Sequence, residues 1–85
     1  MRMLDGGTLK ELRQVQLYLS VKEAKELVHE LQDLLGDRER SEHFHLFSSD
    51  SGIEISASIV TRAKLASGGY TREERDAFGK WKPET

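Results

Sequence analysis

Apolar and polar residues along this chain follow two different periods. From Ser20 to Gly36 the apolar side chains fall at Val21, Ala24, Leu27, Val28, Leu31, Leu34 and Leu35, the three-then-four spacing that lays a stripe along an α-helix. Ser20 can accept a hydrogen bond from a first-turn amide, and Glu23 can reach back to the Ser20 amide, so a capping box is expected at the start. Gly36 is expected to end the helix in the left-handed conformation. An isolated helix of this length is marginal in water, so the stripe calls for an apolar surface elsewhere in the chain. With one stripe committed to that surface, pairing of two copies through this helix is not expected.

Period two governs three other stretches. Val15, Leu17 and Leu19 alternate with Gln14, Gln16 and Tyr18 and read as a first strand running into the Ser20 cap. His43 to Ser48 alternates again, and after the turn-forming run Ser49 to Gly52 the β-branched stretch Ile53 to Thr61 reads as a third strand. The last two make a hairpin. Its register follows from the pattern, because with a two- or four-residue loop Leu46 faces Ile55 and Phe44 faces Ala57, and a one-residue slip would turn every isoleucine to solvent. Thr71 with Glu74 forms a second capping box ahead of a short helix whose apolar side is Ala77, Phe78 and Trp81. Residues 8–13 stay unassigned, Asp37 to Glu42 reads as a solvated charged connector, and Arg62 to Gly69 reads as a linker.

The expected fold class is α+β: a small three-stranded antiparallel sheet with one long helix on one face, in the order β-α-β-β-α. Either the third strand is central, giving the order first, third, second, or the second is central and parallel to the first. At 85 residues the chain is expected to be a single domain over 1–85, with 1–7 a flexible N-terminus and 82–85 a C-terminal tail. Trp81 is expected to close the core.

Composition narrows the function. The chain has no cysteine, which excludes disulfides, thiolate metal sites and a cysteine nucleophile. A net charge of -2 with basic and acidic residues interspersed argues against nucleic-acid binding. No apolar run reaches the length of a membrane span and the N-terminus lacks a signal-peptide core, so no membrane association and a soluble, cytoplasmic location are expected.

If the isoleucines, Phe44, Leu46 and the first strand's apolar residues face the helix, the opposite sheet face displays Tyr18, His43, His45, Phe47, Glu54, Ser56 and Val60. One reading is an ordinary solvated face. The other is a contact surface, with Tyr18, Phe47 and Val60 as anchors and the face's serines, glutamines and histidines as adaptable hydrogen-bond partners. Cover by a partner, by a second copy or by the second helix would take Tyr18 and Phe47 out of solvent. His43 and His45 lie about 7 Å apart along one strand face, with Glu54 diagonal to them; two imidazoles do not complete a metal site, and no metal or other cofactor is expected. They can hydrogen-bond across the ladder to Ser56 and Ser58. No serine has an elbow or a base beside it, no carboxylate pair stands out, and neither glycine pair has a P-loop pattern, so an enzyme is not expected.

The phrases Y-L-S-V-K-E-A-K-E-L-V-H-E-L-Q-D-L-L-G and S-E-H-F-H-L-F-S-S-D-S-G-I-E-I-S-A-S-I-V carry a resemblance in organisation to short single-domain bacterial proteins of the toxin-neutralising immunity type. The resemblance implies a small protein that acts by binding another macromolecule, and it transfers no functional residue. The expected function is a non-enzymatic interaction module that occludes a protein partner and forms a homodimer. The competing class is a small-ligand or metal binder that encloses Tyr18, His45, Glu54 and Trp81 between the sheet face and the C-terminal helix.

Overall fold

The long helix and the hairpin form where the two periods place them. A computed structural model describes residues 1–39, 43–48 and 50–85. In chain order the elements are β1 (Met3–Leu4), β2 (Glu11–Leu12), α1 (Val21–Gly36), β3 (Phe44–Phe47), β4 (Glu54–Ala57), α2 (Arg62–Ala66) and α3 (Arg72–Phe78). They fall into two units, one made of residues 18–59 and the other of residues 1–17 together with 60–85.

In the first unit, α1 begins with the expected capping box: the Ser20 hydroxyl accepts from the Glu23 amide at 3.1 Å, and the Glu23 carboxylate accepts from the Ser20 amide at 2.9 Å. Its end differs from expectation. Gly36 stays helical, and the cap is Asp37 (φ -148°), whose amide donates to Leu34 O at 3.3 Å. A tightened last turn thus satisfies a terminal carbonyl without a left-handed residue. β3 and β4 pair antiparallel with Phe44 opposite Ala57 and Leu46 opposite Ile55, the register that the alternation predicts. Ser48 N donates to Ile53 O at 2.8 Å, so the loop is four residues long, and Gly52 (φ 67°) takes the left-handed position in it. Ser49 of that loop, and Arg40 to Glu42 of the connector, lie outside the described residues.

The core of this unit is Leu34, Phe44 and Leu46, with Leu27, Ile55, Ala57 and Ile59 packed around it. Burying Phe44 alone contributes about 2–3 kcal/mol. Ile53, expected on the helix side, is 63% exposed. It precedes β4 at the turn end of the hairpin, and alternation fixes which way a residue points but not how far its cover extends.

The fold is α+β with one long helix, but the three-stranded sheet is replaced by two sheets of two strands, β1-β2 and β3-β4. Among the described residues, 14–19 carry no ladder, and Val15, Leu17 and Leu19 remain 52%, 49% and 39% exposed. Alternation gives a strand a face; only a partner's amides and carbonyls make it a strand.

The second unit begins with the small β1-β2 hairpin, which pairs Met3 with Leu12 and Leu4 with Glu11. The Asp5 carboxylate accepts the Gly7 and Thr8 amides at 2.9 and 2.8 Å and so builds its turn. In the segment read as a linker, Thr61 caps α2 by accepting from Lys64 N at 3.1 Å. α3 opens on the expected box between Thr71 and Glu74 and ends at Gly79 (φ 65°). Beyond it Trp81 meets Phe78 edge-on at 5.9 Å, and Phe78 meets Tyr70 at 5.4 Å. Arg2 lies over the Trp81 ring at 5.3 Å and donates to Phe78 O at 3.0 Å. Residues 82–85, read as a tail, include the buried Pro83, whose carbonyl accepts from Arg62 Nε at 2.7 Å.

Candidate functional site

The open face of the β3-β4 hairpin collects most of the residues singled out from the sequence. β3 alternates, with Phe44 and Leu46 buried and His45 and Phe47 exposed, so its second side carries His43, His45 and Phe47 in a row. The His43 and His45 rings meet edge-on at 4.7 Å, and His45 stacks on Phe47 at 6.1 Å with 19° between planes. Across the ladder, Ser56 stands opposite His45 and Glu54 opposite Phe47. The His45 imidazole uses Nδ1 to pair diagonally with Glu54 Oε1. This is the diagonal relation that the register implies.

The pair is open to water, with side chains 45% and 42% exposed. A hydrogen-bonded pair in that setting contributes little, on the order of 0.5 kcal/mol, and its main effect is to orient the imidazole beside Phe47. The turn that joins the strands is braced in the same way: Ser48 Oγ donates to Asp50 Oδ1 at 2.7 Å. That bond, then the residue's own amide, holds the Asp50 carboxyl below its ordinary range.

Of the remaining predicted contact residues, Tyr18 lies in the same unit as the hairpin and is 87% exposed, and Phe47 is 62% exposed. Neither has lost solvent access within the chain. Val60 is half-buried and belongs to the other unit. The alternative enclosure divides likewise, since Tyr18, His45 and Glu54 lie in one unit and Trp81 in the other. Among the described residues, no group of three or more His, Asp or Glu side chains is arranged to hold a metal ion. His29 pairs along α1 with Asp33 at 3.5 Å. No described helix is long and apolar enough to cross a membrane.

Sequence reasoning missed a second exposed apolar surface, on α1. Val21, Val28, Leu31 and Leu35 are 73%, 55%, 39% and 62% exposed, whereas Leu34 on the same helix is 7% exposed. The signal was present in the width of the stripe, which exceeds what a two-stranded hairpin can cover. No protein-family model, no curated protein and no solved structure matches the chain.

Proposed function

We propose that the chain is a small, non-enzymatic interaction protein of the immunity or inhibitor kind, which binds a protein partner through the open face of the β3-β4 hairpin, occludes it, and works in the cytoplasm as a homodimer. The observation that carries this reading is the row His43, His45, Phe47 with Glu54 across from it. An aromatic anchor 62% exposed lies beside a hydrogen-bonding pair whose geometry is already set, the mixture of apolar anchor and polar rim that protein interfaces use. A two-stranded hairpin also presents open edges, and an extended segment of a partner added along β3 would supply the third strand.

Binding suits this face better than chemistry does. His45 and Glu54 sit on an open strand surface reached by water, whereas acid and base catalysis needs a substrate held in place against them. The test is affinity capture from extracts of the cells that make the protein, with the wild-type chain, Phe47→Ser and His45→Ala in parallel. A protein recovered in stoichiometric amount by the wild type and lost with Phe47→Ser supports the assignment. Equal recovery by all three overturns it.

A further inference from the structure

The apolar arc of α1 is divided between two duties. Leu27 and Leu34, seven residues apart, are the line that packs with the hairpin core. Val21, Val28 and Leu35 form a second line of the same spacing, with Ala24 and Leu31 three residues after the first two. These are the a and d positions of two heptads and the a position that follows them, which place Leu27 and Leu34 at g. The hairpin covers the g line and leaves the a/d seam in solvent. We infer that this seam is a self-association surface, on which α1 of a second copy packs across a two-fold axis. The inference deepens the interaction reading above by giving the homodimer a surface separate from the one that meets the partner.

Three features favour a second copy as the occupant. First, charge is kept off the seam: Glu23, Glu26, Glu30 and Asp33 all fall at c and f positions, and Lys25 and Gln32 at e, so two identical helices approach without burying a carboxylate. Second, valine at two of the three a positions and leucine at one of the two d positions, Leu31, are residue types that favour two-stranded packing, with Leu35 at the third a and Ala24 at the other d. Ala24 lies between Val21 and Val28 in a shallow apolar groove whose rim is Lys25, a recess for a facing valine. Third, the area suffices. Val21, Val28, Leu31 and Leu35 at the exposures given above, with Ala24 and the stems of Lys25 and Gln32, also exposed, offer at most roughly 600 Å² per copy, so a pair can bury up to roughly 1,200 Å², the size a specific interface needs. A two-fold contact is self-complementary, and one repeated stripe meets that requirement with a single patch.

Sedimentation equilibrium over a range of concentrations tests this, with circular dichroism as the check on folding. The wild type is expected to form dimers, Val28→Glu to raise the dimer dissociation constant about 100-fold or more because a charge would be buried at the centre of the seam, and Phe47→Ser to dimerise like the wild type. If Val28→Glu loses helical signal, Val21→Glu, at a site 73% exposed in the single chain, reads the same contact. A wild type that stays monomeric up to about 0.5 mM, a range that admits even weak pairs, overturns the inference. So does a folded glutamate variant that dimerises as well as the wild type. Dimers lost with Phe47→Ser but kept with Val28→Glu overturn it too, by moving self-association to the hairpin face. Partner capture depends on the hairpin face alone, so failure there leaves the seam result intact.

Discussion

Residues 14–19 and residues 43–61 carry the same alternating signature, yet only one of them folds into a ladder. In the hairpin, a loop with a left-handed glycine at Gly52 returns the chain directly onto its neighbour, so each strand brings the other its hydrogen-bond partners at low loop-closure cost. The segment before α1 has no such neighbour in sequence: it runs straight into the Ser20 cap. Its leucines and valine stay half exposed, whereas Phe44 and Leu46 are 6% and 8% exposed. Periodicity states which side of a strand would be buried, and local turn chemistry decides whether the strand exists.

The sharpest way to break this contrast is to truncate one apolar residue in each region. Phe44→Ala should cost about 3–4 kcal/mol, the usual loss for a buried phenylalanine, while Leu17→Ala should cost no more than about 1 kcal/mol, since half of its side chain is already hydrated. Urea unfolding of the two variants measures the difference, and equal losses would mean that residues 14–19 are structural after all. The turn comes next. Gly52→Ala places a side chain in the left-handed region and should cost about 1 kcal/mol, read as a lower melting midpoint with reduced protection of the β3-β4 amides. A smaller effect is expected at the diagonal pair: Glu54→Gln should change stability by no more than about 0.5 kcal/mol in the same urea titration.

The weakest effect is a pH response of the two aspartate turns. Asp5, through the Thr8 and Gly7 amides, and Asp50, through the Ser48 hydroxyl, both titrate below the usual carboxylate range. A depressed folded-state value means that the stabilisation is complete above the unfolded-state value and is lost as pH falls through the folded one. The amide resonances of Gly7 and Thr8 should therefore hold constant at neutral pH and shift only in acid, and Asp50→Asn should remove the corresponding shift in the β3-β4 turn.

Much of this architecture was legible because it depends on short-range chemistry. Ser20 with Glu23 and Thr71 with Glu74 announce their helices three residues apart, and the hairpin register follows from a parity that two- and four-residue loops share. The diagonal of His45 and Glu54 was readable from that register. α2 was not, since Thr61 is followed at the third position by Lys64, without the acid that marks a capping box. β1 and β2 are two residues each, too short to show any period. For α1, the width of the stripe was readable but not which part of it stays in solvent, because the arc that a sheet covers depends on how the helix is rolled against it, a tertiary choice that one-dimensional spacing does not record.

The uneven make-up of the two units bears on the order in which they can arise. Residues 18–59 are contiguous, so α1 and its hairpin can come together as soon as they leave the ribosome. The other unit joins residues 1–17 to residues 60–85, with Arg2 held by Phe78 and Trp81, and must wait for a closure between residues 76 apart in sequence. Until that late event, the beginning of the chain travels without the aromatic cluster that later receives it.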